Sequence, residues 1–267
     1  MNPALSRVLV TIVGLPVVFG LVWLGGWWLW ALAAVAALLG LHEFYGMTRP
    51  LRPLTLAGYG GALGALLGAE LGGPLWMLGG FLSVFVLVFA LQSVSRSRAP
   101  ATVAIGSTVL GTAWVGLPLG CLILLRQLPE HSRLVLFTVF LAVWADSTFA
   151  YFGGRLFGRH RMAPILSPGK TWEGLTVGAA AAVFVSFVSL YDDKHTFLAI
   201  WQAVVLGIVL ALAEVTGDLF ESMLKRDMQV KDTGRILGGH GGVLDRIDSL
   251  LFAIPAAYFL VVAFGYG

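Results

Sequence analysis

Apolar stretches about 20 residues long recur along nearly the whole chain, and this repetition restricts the possible fold more than any other feature. A stretch of that length matches the thickness of a bilayer core, where no water is present to satisfy backbone N–H and C=O groups. Helices satisfy those groups internally, so the expected fold is all-α: a polytopic integral membrane protein. Nine spans are expected, near residues 8–25, 27–46, 55–71, 74–93, 101–125, 133–153, 173–191, 197–220 and 248–265. Hydrophobic residues make up 58% of the chain and charged ones only 12%, about half the charged share of a soluble domain. No soluble domain or long linker interrupts the pattern. Gly60, Gly61, Gly64 and Gly68 read as helix-packing positions, where small residues let backbones approach closely.

The formal charge is only +3, and its basic residues sit in short loops, which fits a membrane protein better than a nucleic-acid binder. Cys121 is the single cysteine, so intrachain disulfides and cysteine-rich metal sites are excluded. Arg7 ahead of an apolar run resembles a secretion signal, but Trp27, Trp28 and Trp30 follow where small cleavage-site residues belong. The first span is therefore expected to be retained. Basic residues stay on the cytoplasmic side of a membrane. With the amino terminus inside, fourteen of the 17 Lys and Arg residues fall in inner regions, leaving Arg126, Arg133 and Lys194 outside. The two longest polar loops, 154–172 and 221–247, then share the cytoplasmic face.

Seven of the 14 acidic residues lie between positions 214 and 248. Glu214, Asp218 and Glu221 follow one another at helical spacing, and Ser222 and Lys225 continue the same stripe. Lys231-Asp232, the glycine-rich segment 238–242 around His240, and Asp245 and Asp248 complete the cluster. Carboxylates inside or at the edge of a membrane point to function. Magnesium takes oxygen ligands, one or two of them protein carboxylates with substrate phosphates and water completing the shell, which suits Asp218 and Asp245. Lys225, Arg226 and Lys231 suit a triphosphate. Ordinary interfacial salt bridges would need neither the glycine loop nor the surplus carboxylates. A second cluster holds Asp146-Ser147, then Ser167-Pro168-Gly169-Lys170-Thr171 and Glu173-Gly174. Its composition suits phosphate, although its spacing is not that of a Walker P-loop and no strand is expected before it. Asp146 is open to three readings: a metal ligand, a partner for Arg155, or a helix-packing group.

Taken together, Ser222 to Arg226, Lys231-Asp232 and His240-Gly241-Gly242-Val243-Leu244-Asp245-Arg246-Ile247-Asp248 resemble the defining motif of the phosphatidate cytidylyltransferases, also called CDP-diglyceride synthases. The family commonly has Pro-Gly before His-Gly-Gly, and Gly238-Gly239 stands there in this chain. Segments 146–154 and 167–174 resemble the family too, so the likeness covers the carboxy-terminal half, with Glu43-Phe44 as a weaker match upstream. The resemblance implies a dimeric enzyme of the bacterial inner membrane, with its active site facing the cytoplasm. Its reaction would convert CTP and phosphatidic acid into CDP-diacylglycerol and pyrophosphate. Residues 1–132 would supply lipid-facing helices and 133–267 the catalytic ones.

The implied site has Asp218, Asp245 and Asp248 at magnesium, with a second cation as an option. Lys225, Arg226, Lys231 and Arg246 would act on the phosphates, and Ser167, Lys170, Thr171, Ser222 and His240 would contact substrate. For His240 a structural hydrogen-bonding role is the alternative. A phosphomonoester with a second pKa near 6 is already largely dianionic at neutral pH, so no general base is assigned. Trp144 and Trp172 read as interfacial anchors, with stacking on cytosine as the alternative. Competing readings are a CTP-dependent kinase of polyprenol or phytol lipids, and a transporter, which an inverted internal repeat would favour; none is visible.

Overall fold

The structure, a computed structural model, describes residues 3–94, 100–193, 197–234, 236 and 241–266. Among these residues seven helices are long and apolar enough to cross a membrane: Gly26–Met47, Thr55–Val94, Ala101–Arg126, Ser132–Phe157, Trp172–Leu190, Ile200–Asp227 and Leu244–Ala263. Large apolar side chains such as Leu71, Leu75, Trp76, Val86 and Phe89 are exposed along Thr55–Val94, as a surface facing lipid tails requires. The fold is thus that of an all-α polytopic membrane protein.

The chain forms two compact units, Met1–Leu124 with Met228–Ile247, and Leu125–Asp227 with Asp248–Gly267. This compactness follows a different line from the functional division expected at residue 132, because segment 228–247 packs with the first unit.

In the first unit, α1 (Pro3–Leu24) and α2 (Gly26–Met47) lead through a short 3-10 turn into α3 (Thr55–Val94). The 40 residues of α3 are broken at Gly73, where φ is 75°. That angle is open to glycine at little cost, and Pro74 then restarts the helix from its first turn. The chain folds back there: a Cβ at Gly80 would overlap the carbonyl of Gly64, and one at Gly68 the carbonyl of Trp76. Two backbones in contact have no room for side chains, which explains the glycines read above as packing positions. Next come α4 (Ala101–Gly111), a wide π turn at Thr112–Gly116, and α5 (Leu117–Arg126), together the most deeply packed span, 78% buried. The wide turn sits just before Pro118, whose ring would otherwise press on the Trp114 carbonyl. Tyr45 ties α2 to this span by donating to the Thr108 carbonyl at 2.9 Å. The short helix α9 (Leu244–Ile247) also belongs to this unit.

In the second unit, α6 (Ser132–Phe157), α7 (Trp172–Leu190), α8 (Ile200–Asp227) and α10 (Leu250–Ala263) pack together. A short antiparallel hairpin, β1 (Arg161–Ala163) with β2 (Ser167–Thr171), lies between α6 and α7. No strand was expected there; Pro164, Pro168 and Gly169 disfavour helix, so the polar loop takes extended pairing instead. The α8 helix runs seven residues past the expected end at 220. Its last two turns hold Glu221 and Lys225 at i,i+4, paired at 2.8 Å, and strong helix formers carry the helix on after hydropathy has faded.

The backbone contact at Gly73 yields a paired test. Gly80→Ala should destabilise the protein in detergent by about 1–3 kcal/mol, since an added methyl meets backbone that cannot yield. Gly79→Ala meets nothing within 4 Å and should be neutral or stabilising by up to about 1 kcal/mol. Equal effects on thermal unfolding would show that the two halves of α3 do not touch.

Candidate active site

The polar residues of the second unit converge where β2 meets α8, and one lysine organises them. Lys170, on β2, places its ammonium 2.9 Å from Asp218 Oδ2 and 3.7 Å from Glu214 Oε2, both on α8. Pro168 and Gly169 keep this segment extended, so the residue just before the α7 cap can reach across to α8. Thr171 is that cap: its hydroxyl accepts from the Gly174 N–H at 3.1 Å. Burial would lower the Lys170 pKa, but the Glu214 and Asp218 carboxylates outweigh it, and the net shift is upward from the ordinary lysine range.

From Lys170 the network extends both ways along α8. Toward the amino end, Ser147 on α6 donates to Glu214 Oε1 at 2.6 Å. Asp146, one residue earlier, is 1% exposed. It interacts electrostatically with Glu214 and Lys170. A Cβ at Gly178 on α7 would overlap its Oδ1, so only glycine lets α7 close over this carboxylate. Arg155, one expected partner for Asp146, instead donates to Tyr151 at 3.3 Å. Toward the carboxyl end, Ser222 donates to Asp218 Oδ1 at 3.3 Å, and Lys225 pairs with Glu221, a carboxylate only 1% exposed. Asp248 joins from the start of the last span, within electrostatic reach of Asp218, Glu221 and Lys225. Gly217 permits that approach, because a Cβ there would lie 2.7 Å from the Asp248 carbonyl oxygen. Arg226 is exposed and reaches the Leu166 carbonyl at 3.4 Å, tying the end of α8 to the hairpin.

The first unit holds a second constellation. Asp245 Oδ2 accepts from the Gly242 N–H at 2.8 Å, the Thr233 N–H at 3.2 Å and the Thr233 hydroxyl at 2.9 Å. Glu43, 3% exposed on α2, accepts from the Val243 and Leu244 N–H groups at 3.0 and 2.8 Å. Lys231 and Arg246 are exposed, and His240 lies outside the described residues.

Of the expected site residues, Lys170, Asp218, Ser222, Lys225 and Asp248 are brought into one network, with Ser167, Thr171 and Arg226 on or against the hairpin beside it. Asp245, Lys231 and Arg246 belong to the first unit. Among the described residues no group of three or more His, Cys, Asp or Glu side chains is arranged to hold a metal ion. Lys170, expected at a phosphate, is engaged by carboxylates. Glu214 and Glu221, read as part of the acidic stripe without an assigned role, enter the network with Ser147 and with Asp146, whose reading was left open, and Thr233 carried no signal at all. Glu43 did carry one, as a lone carboxylate within an apolar span.

Fold and site together define a polytopic membrane protein with a charged, carboxylate-rich centre among its helices. Residues 5–264 match the Cytidylyltransferase family. A phosphatidate cytidylyltransferase of Staphylococcus epidermidis is 34% identical over 264 residues, covering 96% of this chain and 98% of that protein. One from Synechocystis is 32% identical over 290 aligned residues, 96% of each chain. One from Haemophilus influenzae is 43% identical over 130 residues, spanning 48% of this chain and 45% of that protein. The chain belongs to the Cytidylyltransferase family.

Replacing Lys170 by Met should cost about 2 kcal/mol, less than for a fully buried pair because Asp218 is 37% exposed and can rehydrate. The raised lysine pKa means that this stabilisation is complete below the unfolded-state value of about 10.4 and is lost as pH rises through the higher folded value. Unfolding of wild type and Lys170→Met in mild detergent should therefore converge at alkaline pH; a constant gap across that range would contradict the ion pair.

Proposed function

We propose that the carboxylate and lysine network of the second unit receives the polyphosphate of CTP together with a divalent cation. The chain transfers the cytidylyl group of CTP to phosphatidic acid, giving CDP-diacylglycerol and pyrophosphate in phospholipid synthesis. The observation that carries the site assignment is a charge imbalance. Four carboxylates, Glu214, Asp218, Glu221 and Asp248, share their surroundings with two ammonium groups, Lys170 and Lys225. Such a centre repels a triphosphate unless a cation lies between them, and magnesium commonly binds through one or two carboxylates plus phosphate oxygens. Asp218 and Asp248 fit that donor set within the second unit, and Asp245 is retained as a further ligand on the motif. Bound there, magnesium would neutralise phosphate charge and polarise the α-phosphorus.

The protein's own task is placement and charge compensation, which dominate phosphoryl and nucleotidyl transfer. A phosphate oxygen of phosphatidic acid forms the new bond to the α-phosphorus of CTP, and the bond from that phosphorus to the oxygen bridging to the β-phosphate breaks. Both electrons leave with pyrophosphate. Lys225, Arg226, Lys231 and Arg246 answer the charge that develops on the departing group. Lys170 holds Asp218 and Glu214 in place and still has ammonium protons to offer. Thr171 Oγ1 accepts from the helix while its own proton stays free to donate to phosphate, as Ser167 and His240 are proposed to do. Ser222 orients Asp218.

Nine crossings with the amino terminus in the cytoplasm are proposed as the topology. Its support is the seven long apolar helices, the turn at Gly73 that divides Thr55–Val94, the additional α1 helix, and the concentration of basic residues in alternate loops. A bacterial inner-membrane location and a homodimer complete the proposal; the similar proteins from Staphylococcus, Synechocystis and Haemophilus are all bacterial.

Purified protein given labelled CTP and phosphatidic acid should form CDP-lipid and pyrophosphate only when magnesium is present. Asp218→Asn and Asp248→Asn should each lower turnover by about 100-fold or more while leaving the protein inserted. Release of CDP with a phosphorylated lipid would instead identify a kinase, and near-normal turnover in both variants would remove the cation assignment.

A further inference from the structure

We infer that Glu43 is a positioning residue that anchors the segment carrying Asp245. Glu43 lies near the carboxyl end of the apolar helix α2 and is only 3% exposed, where an ionised carboxylate is costly unless it is hydrogen-bonded. Its two oxygens are used on backbone 200 residues away, accepting from Val243 and Leu244 at 3.0 and 2.8 Å. These are N–H groups at the start of α9, which have no carbonyl of their own helix to bond. Backbone also walls the carboxylate in. A Cβ at Gly234 would overlap Glu43 Oε1, and one at Gly242 would lie 2.5 Å from both Oε2 and the Thr233 hydroxyl.

The same short segment presents Asp245. Its carboxylate is oriented by Thr233 and Gly242, residues that flank or touch the Glu43 contact. Glu43 therefore acts on Asp245 through backbone: it locates the start of α9, and that start, with Thr233, orients the aspartate. Helix α2 is a firm base for this role, since Tyr45, two residues on, bonds the Thr108 carbonyl and Thr112 hydroxyl. Glu43 is the right length to satisfy both amides at once. Gln would accept at one and turn an N–H toward the other. The functional half of this inference rests on the proposal that Asp245 is a cation ligand.

Wild type, Glu43→Gln, Glu43→Asp and Asp245→Asn, each in lipid nanodiscs, separate the two. Hydrogen exchange across residues 242–246, without substrate or metal, reads the anchor directly; turnover over a magnesium titration reads its consequence. Glu43→Gln should speed exchange of those amides by about tenfold or more, the loss expected for a hydrogen bond to a charged acceptor. It should also raise the magnesium concentration for half-maximal activity, with exchange elsewhere unchanged, and Glu43→Asp should recover part of both. Unchanged exchange in Glu43→Gln overturns the anchor. Faster exchange with a wild-type magnesium requirement, while Asp245→Asn shifts that requirement, overturns the positioning role. If Asp245→Asn leaves the requirement unmoved but Glu43→Gln still frees the segment and lowers turnover, the anchor stands and the cation reading of Asp245 falls. Should Glu43→Gln fail to insert, Glu43→Asp carries the same comparison with smaller changes.

Discussion

A carboxylate enclosed by apolar helices must meet a donor, a counter-charge or a proton, and the organisation of both units follows from how that demand is met. In the second unit Lys170 bridges Asp218 and Glu214, and Ser147 supplies a further donor to Glu214. In the first, backbone N–H groups serve Glu43 and Asp245. The two solutions differ in kind. Side-chain cations can move or exchange partners when a polyanion arrives, whereas backbone donors at a helix start hold their carboxylates fixed. Under the proposed function, a site that admits CTP is better served by the former, and a segment that presents one aspartate by the latter.

Close helix packing is the second constraint, and glycine serves it at the charged centres as well as in the lipid-facing helices. Gly178 lets α7 cover Asp146, and Gly217 lets the start of the last span approach α8 closely enough to bring Asp248 toward Asp218. The driving force between helices in a membrane is packing and hydrogen bonding rather than burial from water. Removing a side chain at these places therefore serves stability and site geometry together. The centre is dense: Asp146 and Glu221 are each 1% exposed, yet Asp218 keeps a solvent-accessible side.

Much of this was legible in the residues because each signal was local. Stretches of uniform hydropathy need no partner to be recognised, and Glu214, Asp218, Glu221, Ser222 and Lys225 share a stripe through helical spacing alone. The motif around Asp245 and Asp248 is contiguous. Lys170 was less readable. Its neighbours Ser167 and Thr171 suggested a phosphate cradle, and nothing near it in sequence shows that its ammonium is held by carboxylates more than forty positions away. Thr233 was silent because threonine in a loop is ordinary, and its role depends on Asp245 turning back toward it. The strands at 161–163 and 167–171 were missed since each is too short to show a period.

The order of apolar and polar residues by itself determined that this chain is a bundle of membrane helices and that its charged groups gather in the polar stretches near its carboxyl end. Both conclusions rest on properties that act over one or two turns of helix: transfer from water to lipid, and side-chain spacing. Only the tertiary structure decided which carboxylate answers which cation, that Asp248 and Asp218 lie in one charged network, and that Glu43 holds the start of α9. Those pairings join residues separated by up to 201 positions, and the energy of a charge in a low-dielectric interior depends on what lies a few ångströms away in space rather than along the chain.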